Sequence, residues 1–479
     1  MSSSYLDAAD QAVEHALALG ARYADARVMH RRTESMSARN GAVEALDQGE
    51  TVGIGVRALV GSSWGFFATP HLDAPSVRAA GRQAVEIAKA SSRVPGPAAM
   101  IPADPEVGSW ASECEVDPLE VPVSDKGDLL TAATAEMRSQ GADIATGIYQ
   151  IWDTRKWFVS SEGHRIDQHI RECGGGISAT AVGERETQVR SYPSRRGQYG
   201  TRGWELVTEL DLAAQASRIA DEAQALLRAP QCPSGQTALI LGGEQLALQI
   251  HESVGHAIEL DRILGWEAAY AGTSWLDLAQ LGTLQYGSEL MNIVIDATHP
   301  GALGSFGYDD EGTKAGKRDA VRNGIWTGVL SGRESAAVAG LDYGGSVRST
   351  DWSRLPIVRM TNVGLEPGPH TLEEIIAATD DGVFMDMNRS WSIDDKRLNF
   401  QFGCEVGYEV KNGKLGRMVK NPTYTGIGPK FWQSMDMLSH EIVAWGTPNC
   451  GKGQPGQVGH TGHPAAPARF QNVRVGVRG

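Results

Sequence analysis

Apolar residues recur at helical spacing in several stretches of the chain. From Ser4 to Ala18 they return every three or four positions, which predicts a first helix. Asp73 and Pro75 form a typical helix start and predict a second helix that ends near Ala90. The same spacing predicts two further helices, at residues 125–139 and 212–227.

Alternating apolar and polar residues predict strands between and after these helices. The segment from YADARVMH to SSWGFFAT contains Gly, Asn and Ser turns and predicts an antiparallel meander. Further strands are predicted for IYQIWDT, KWFVSS, HRIDQHIREC and ISATAVG, and most segments beyond residue 236 are strand-like. Lys411-Asn412-Gly413-Lys414 is typical of a hairpin turn. The pattern predicts an α+β protein, with antiparallel strands and flanking helices in the N-terminal half and mostly antiparallel β structure in the C-terminal half.

Two stretches rich in Pro, Gly and Ser indicate domain boundaries: VPGPAAMIPADPEVG at residues 94–108 and RAPQCPSGQ at residues 228–236. They predict an N-terminal α+β domain at residues 1–95, a second α+β domain at 96–230 and a mainly-β domain at 231–479. The third domain would contain the candidate chemistry described next.

The segment GGEQLALQIHESVGHAIELD follows a strand-like TALIL and holds two histidines and a glutamate close together. Its apolar spacing predicts a helix from about Glu244. His251, Glu252 and His256 resemble the H-E-x-x-H arrangement, in which two histidines bind zinc and the glutamate acts on water. A spacing of five, however, separates two side chains by roughly 140° on a regular helix. Either a π-type bulge or a helix end near Gly255 would be needed to bring both histidines to one ion, and two ordinary buried histidines remain the alternative.

Composition limits the classes of partner. The chain has 58 acidic and 44 basic side chains, a net charge of −14, so nucleic acid and anionic membrane surfaces are not expected to bind it. The N-terminus does not resemble a signal peptide, and no apolar run approaches the roughly 18 residues of a membrane span. Five cysteines, an odd number far apart in sequence, predict no disulfide framework and favour a reducing cytoplasm.

HESVGHAIELD resembles the HExxxH signature of the TldD/PmbA family of metallopeptidases. Other segments resemble family blocks in the family's order and extend the resemblance over essentially the whole chain: ALALGARYADARV, ARNGAVEALDQGETVGIGVRAL, SFGYDDEG, RLPIVRMTN and GTPNCGK. The resemblance implies a zinc-dependent peptidase that acts on short, unfolded or modified peptides. It implies that His251, His256 and Cys450 hold Zn2+ and that Glu252 is the general base on the zinc-bound water.

Other side chains compete for these roles. Cys404 is the rival thiolate, while His460 and His463 are expected in a surface-like segment and rank below Cys450, which is itself expected in a glycine-rich loop. Glu259 and Asp261 would either orient a ligand histidine or form a solvated helix end.

Two further groups of residues have open interpretations. Asp309-Asp310-Glu311 predicts a turn or a substrate-facing loop, because it lacks the ligand spacing of an EF-hand. Arg359 and Asn362 would either receive a peptide backbone or carboxylate, or simply cap strands.

The resemblance also implies partners. Family members form dimers, so a homodimer or a heterodimer with a TldE/PmbA-like paralogue is expected, and the complete motif is typical of the catalytic subunit. The alternative is a non-hydrolytic regulatory or assembly subunit with a structural metal. Such a metal would need a fourth protein ligand, for which Cys404, His460 and Glu259 are the candidates.

Overall fold

The computed structural model describes residues 2–94, 96 and 99–476. Its α-helices are α1 Ser2–Ala18, α2 Ala74–Ser91, α3 Val123–Ser139, α4 Glu205–Leu210, α5 Leu212–Arg228, α6 Gly243–Ile250, α7 Leu260–Ile263, α8 Arg333–Ala339, α9 Leu372–Ala377 and α10 Gly428–Gln433. A π-helical turn spans His251–Gly255 and a 3-10 turn spans Leu278–Gln280.

The strands are β1 Tyr23–Arg39, β2 Ala42–Val60, β3 Ser63–Thr69, β4 Val107–Ala111, β5 Ile144–Ser160, β6 Arg165–Val182, β7 Thr187–Tyr192, β8 Gln198–Gly200, β9 Gly235–Leu241, β10 Ile293–Asp296, β11 Lys317–Arg322, β12 Ile325–Trp326, β13 Val347–Arg348, β14 Ile357–Val358, β15 Val363–Leu365, β16 Asp381–Ile393, β17 Asn399–Lys411, β18 Lys414–Val419, β19 Thr423–Ile427, β20 Met435–Leu438, β21 Val443–Lys452, β22 Gln457–Ala465 and β23 Ala468–Val475. The predicted α+β class is confirmed.

One large sheet dominates the N-terminal half, with the strand order β3-β2-β1-β5-β6-β4 and with β7 and β8 also paired to β6. The apolar stripes of α1 and α2 pack with the β1–β3 side of this sheet, and those of α3 and α5 pack with β5 and β6. Only β4 pairs parallel among these described strands. These elements therefore match the predicted antiparallel strands with flanking helices.

Two of the predicted strand breaks are wrong. IYQIWDT and KWFVSS form the single strand β5, and HRIDQHIREC continues into ISATAVG as β6. The polar residues at the expected break are bonded inside the sheet: Asp153 contacts His169 at 2.6 Å, and Thr154 accepts from Arg31 at 2.8 Å. Their partners lie on neighbouring strands, so the local pattern could not reveal them.

The C-terminal half contains a second sheet of order β16-β9-β23-β19-β17-β18, with β20 added to β23. Most of its pairings are antiparallel, and β9 with β16 is the parallel exception among those described. Asn412 and Gly413 have φ values of 50° and 72°, as a tight turn between β17 and β18 requires, so the predicted hairpin is confirmed. The helix α6 follows β9 and packs against the β21–β22 hairpin, and the two histidines lie in and just after the π-helical turn that follows α6.

Buried ion pairs join the two halves. Asp310 lies 2.6 Å from Lys156 of β5 and 3.5 Å from Arg27 of β1, and Glu311 lies 3.3 Å from Arg57 of β2. The acidic run is a turn, as predicted, but its three carboxylates are buried and do not face a substrate. Its role in the structure is to hold the C-terminal half on the first sheet.

The division into domains 1–95, 96–230 and 231–479 stays a prediction. Its first boundary falls at Pro95, outside the described residues, and one sheet contains strands from both of the first two segments. Within the described part of the chain, no helix is long and apolar enough to cross a membrane.

Candidate metal centre

A π-helical turn brings the two histidines together. The apolar residues Leu246, Ile250, Val254 and Ile258 are fully buried and fix the inner face of the segment. The amide of His256 donates to the carbonyl of His251 at 3.1 Å, the i to i+5 bond that defines a π turn. Of the two predicted distortions, the structure therefore has the π bulge, and the two imidazole centroids lie 4.8 Å apart.

Cys450 completes the group. One ligand atom from each of His251, His256 and Cys450 can be chosen so that all lie within 4.8 Å of one another, and Cys450 Sγ lies 3.7 Å from His256 Nε2. A tetrahedral zinc ion with bonds of about 2.0–2.3 Å spaces its ligand atoms by roughly 3.5 Å. The donor set and its spacing therefore fit a zinc ion with small adjustments of the side chains.

The prediction that Cys450 lies in a loop is wrong. It belongs to β21, opposite Gly459 of β22, with a register shift between Thr447 and Cys450. Arg359 also donates to the Cys450 carbonyl, so the main chain at this position is held from two sides. The glycines of GTPNCGK are compatible with a bulged hairpin, which local sequence does not distinguish from a loop.

His463 was expected near the surface, but it is fully buried on β22 and contacts the metal centre. Its Nδ1 lies 2.9 Å from the Val363 carbonyl and its Nε2 lies 2.8 Å from His251 Nδ1. Burial and then the neighbouring His251 hold the pKa of His463 well below its ordinary value, so the ring is neutral. A carbonyl only accepts, so His463 carries its proton on Nδ1 and accepts from His251 Nδ1–H. His251 Nε2 is then left with a free lone pair for a metal.

The second histidine is oriented by Glu259. His256 Nδ1 lies 2.9 Å from Glu259 Oε2, which directs His256 Nε2 toward Cys450. Burial raises the pKa of the Glu259 carboxyl, but Lys452, His256 and Arg262 outweigh burial and hold that pKa well below its usual range. Asp261 contacts Lys452 at 2.7 Å instead of a histidine, and burial raises its pKa.

The ionisation states favour metal binding. Burial lowers the pKa of both His251 and His256, which keeps the imidazoles neutral with lone pairs available at pH 7. Burial alone would raise the pKa of the Cys450 thiol, but His256 and Arg359 outweigh it and lower that pKa. The imidazoles thus have the neutral form that a zinc ion requires, and the thiol is shifted toward the thiolate that zinc binds.

Glu252 lies beside this group and faces a cavity of about 260 Å³ that His251, His256 and Cys450 also line. Its Oε2 accepts from Arg397 Nη1 at 2.6 Å. Arg397 lies in the turn between β16 and β17 with a φ of 62°, a conformation that is uncommon for a residue other than glycine. Arg397 was not among the predicted site residues, because nothing in DDKRLN indicates that this turn reaches the cavity.

The remaining candidates lie elsewhere. Cys404 is fully buried in the core, and burial, followed by Asp386 and Glu244, raises the pKa of its thiol well above the ordinary value. His460 contacts Glu172 at 2.9 Å, and Asn362 donates to Asp296 O and Ser305 Oγ at 2.8 Å each. Among the described residues, only His251, His256 and Cys450 form a group of three or more potential metal ligands.

A buried His–His–Cys group with a carboxylate beside it, facing a cavity between two halves of an α+β fold, is the arrangement of a hydrolytic metal centre. The chain belongs to the PmbA/TldA metallopeptidase family. Residues 24–88 match domain 1 of that family, residues 116–227 its central domain and residues 234–476 its C-terminal domain. It is therefore a metallopeptidase, that is, a peptide hydrolase.

Curated relatives agree with this assignment. A metalloprotease of Methanothermobacter thermautotrophicus is 29% identical over 95% of both chains. A zinc metalloprotease TldD homolog of Saccharolobus solfataricus is 25% identical over 44% of this chain and 45% of that protein.

Solved structures share the fold. A proposed modulator of a DNA gyrase from Thermotoga maritima superimposes with a TM-score of 0.76 at 17% identity, covering 98% of this chain and 99% of the other. TldE from Thermococcus kodakarensis gives a TM-score of 0.73 at 15% identity, with the same coverage. At these identities the likeness concerns the fold alone.

Proposed function

We propose that the chain is a zinc-dependent metallopeptidase in which His251, His256 and Cys450 bind the metal and Glu252 is the general base. The observation that carries the proposal is the convergence of three buried ligand atoms beside the Glu252 carboxylate. The mixed nitrogen and sulfur donor set is one that zinc favours, and one relative is named a zinc metalloprotease. A bound zinc ion would polarise the scissile carbonyl and lower the pKa of water.

The residues of the chain would carry the proton transfers. Glu252 accepts the proton of the attacking water and returns it to the leaving amine, as a general base and then a general acid. Arg397, which donates to Glu252 in the substrate-free structure, holds the carboxylate in place and limits its rotation. Glu259 and His463 keep the two ligand imidazoles oriented through the reaction.

The shape of the cavity supports short, unfolded or modified peptides as substrates. About 260 Å³ of space accommodates about one residue of an extended chain at a time and excludes a folded domain. Trp391 and Trp445 supply apolar contact area in the same cavity, and Arg195 and Arg196 supply cations. Bound peptide would lie between these side chains and the metal centre.

The alternative of a regulatory or assembly subunit with a structural metal has less support. A structural zinc is bound by four protein ligands, whereas a catalytic zinc keeps one position open. Of the three candidates for a fourth ligand, Cys404 is in the core, His460 contacts Glu172 and Glu259 contacts His256 Nδ1. Among the described residues none of these three candidates belongs to the ligand group, which supports a catalytic metal over a structural one.

Compartment and assembly follow from the same proposal. A thiolate ligand must stay reduced, and all five cysteines are unpaired, which supports a cytoplasmic location. The shared fold with TldE supports a dimer, either a homodimer or a heterodimer with a TldE/PmbA-like paralogue. Size measurement of the purified chain, with and without such a paralogue, tests this part.

The decisive test combines metal analysis with peptide cleavage. Protein purified without chelator should contain about one zinc per chain and cleave members of a peptide library, and a chelator should abolish cleavage. Glu252→Gln removes the base but none of the three ligands, so it should retain zinc and lose cleavage by several orders of magnitude. Absence of zinc from the wild-type protein, or full activity of metal-loaded Glu252→Gln, would contradict the proposal.

A further inference from the structure

A second cavity, of about 300 Å³, lies between β1, β5 and β6 of the first sheet and the β21–β22 hairpin. Three arginines, Arg31, Arg348 and Arg359, line it, and we call it the arginine cavity. Pro448 of β21 borders both this cavity and the one that faces the metal centre. The arginine cavity therefore lies next to the strand that carries Cys450, but it contains none of the proposed metal ligands.

The three guanidinium groups are held by neutral partners. Arg31 donates to Thr154 Oγ1 and Thr350 O at 2.8 Å each. Arg348 donates to the carbonyls of Met360 and His460, and Arg359 to those of Gln457 and Cys450. Carbonyl oxygens orient a guanidinium without neutralising its charge, so three positive charges face one cavity.

The other charged groups in the wall have partners of opposite charge or proton-sharing partners. Lys156 contacts Asp310 at 2.6 Å and Glu172 contacts His460 at 2.9 Å. Burial, reinforced by Arg359, lowers the pKa of Arg348 to about 10, so the group remains charged at neutral pH beside another cation. Glu172 also attracts Arg31 and Arg348, but three guanidinium groups outnumber this one carboxylate, so the net charge of the lining is positive.

Two donors in the wall lack a partner. Arg348 Nε and Arg359 Nε make no hydrogen bond within the described residues, and Arg359 is only 2% exposed. Buried donors without acceptors are rare, because each costs free energy until an acceptor reaches it. These arginines are thus oriented by their bonds to carbonyls and keep donors that make no bond within the described residues.

Apolar side chains share the lining with these arginines. Met29, Trp152, Ile170 and Phe306 line the cavity, and the Arg348 guanidinium lies 5.4 Å from the centre of the Phe306 ring. A lining that combines cations with apolar side chains favours a ligand with an anionic group on an apolar body. The volume is at the lower end of the range for small-molecule sites and fits about one amino-acid residue.

We propose that the arginine cavity binds a carboxylate attached to an apolar group, such as the C-terminal residue of a peptide or a free small carboxylic acid. A guanidinium binds a carboxylate through charge-assisted hydrogen bonds, and three guanidinium groups line this cavity. The binding site itself is independent of the peptidase activity. Only the assignment of the carboxylate to a substrate peptide rests on the proposed function.

The test is a binding measurement on the zinc-loaded protein. N-acetylphenylalanine carries the carboxylate and the apolar group. Its amide keeps the apolar group but has neither the charge nor the second acceptor oxygen, so calorimetry with both measures the contribution of the carboxylate. We expect the acid to bind, the amide to bind much more weakly, and Arg348→Met to weaken binding of the acid roughly 10- to 100-fold. Equal binding of acid and amide, or unchanged binding to Arg348→Met, would overturn the proposal.

Two further variants keep this result interpretable. Arg31→Met removes a guanidinium from the β1 side of the cavity and should also weaken binding of the acid. Because Arg31 lies on a different element from Arg348, the same effect in both variants is not explained by a local folding defect in Arg348→Met. Arg82→Met removes an exposed arginine of α2 that is paired with Glu86 and should bind the acid like the wild type. Weaker binding by Arg82→Met would show that the effect is not specific to the cavity.

Cleavage kinetics identify the source of the carboxylate. If it is the peptide's own C-terminus, Arg348→Met raises KM for peptides with a free C-terminus and leaves KM for the corresponding C-terminal amides unchanged. If it is a free acid, N-acetylphenylalanine affects cleavage of both peptide forms alike. Arg348→Met then leaves the ratio of the KM values for the two peptide forms unchanged. Failure of the wild-type protein to cleave any peptide would contradict the proposed function, whereas the calorimetric result would still stand.

Discussion

The environment of each thiol, more than its place in the sequence, separates Cys450 from Cys404. Both are buried, but Cys450 lies beside His256 and Arg359, which lower its pKa despite burial. Cys404 has Asp386 and Glu244 near it, which add to the effect of burial and raise its pKa. A thiolate is the form that binds zinc, so the two cysteines have opposite aptitudes as ligands.

Exchange of each cysteine for serine tests this difference. Cys450→Ser should lower the zinc content well below one per chain, because it removes a ligand from the group of three. Cys404→Ser is the matched control, since it replaces a buried thiol that lies outside the group, and it should retain zinc. Metal analysis of both variants tests the assignment. Zinc loss in Cys404→Ser with retention in Cys450→Ser would show that Cys404, and not Cys450, is the ligand.

His463 gives a prediction about metal affinity. His463→Leu removes the acceptor for His251 Nδ1–H, so the ligand ring loses the contact that fixes its tautomer. We expect zinc affinity, measured by competition with a chelator, to fall about 10- to 100-fold. His463→Gln keeps an acceptor in the side chain and should recover part of the affinity. Wild-type affinity in His463→Leu would show that the contact does not orient the ligand.

At the scale of elements, local pattern was sufficient for the helices and insufficient for the pairing of strands. Helices α1, α2, α3 and α5 begin and end within a few residues of their predicted bounds, because their apolar stripes are local. The β21–β22 hairpin, which carries Cys450 and His463, is held partly by contacts with residues about 100 positions away, such as Arg359 and Val363. No local signal distinguishes such a hairpin from a loop.

The π turn was one of two options from the sequence, and its cause is visible only in the structure. A Cβ added to Gly255 would lie 2.1 Å from Met360 Sδ, a distance that requires one of them to move. Met360 is fully buried, so it has little room to yield. The close packing of this turn against Met360 therefore requires a residue without a side chain at position 255.

Gly255→Ala should therefore destabilise the protein by about 1–3 kcal/mol and weaken zinc binding, because the π turn must shift to relieve the overlap. Chemical denaturation and chelator competition measure the two effects. In a Met360→Ala background the overlap disappears, so the same substitution should cost much less. An equal cost in both backgrounds would show that Met360 is not the cause.

At the scale of the whole molecule, buried charges connect the two halves of the chain. Asp310 from the C-terminal half has no exposed side-chain surface and contacts Lys156 and Arg27 of the first sheet. Burial raises the pKa of this carboxyl, but Lys156 and Arg27 outweigh it and hold the pKa far below its usual range. The arginine cavity lies along the same junction, since Lys156 is one of its wall residues.

Asp310→Asn should destabilise the protein by about 3–5 kcal/mol at pH 7, because it leaves two buried cations without their carboxylate. Asp381→Asn is the control, since Asp381 and its partner Lys411 are 69% and 56% exposed, and it should change stability little. The folded pKa of Asp310 lies below the unfolded value of about 3.9, so its stabilisation is complete above that pH and declines as pH falls further. The stability difference between wild type and Asp310→Asn, measured by denaturation from pH 7 to pH 3, should therefore be constant at first and shrink below about pH 4. A difference that grew on acidification would contradict the role assigned to this carboxylate.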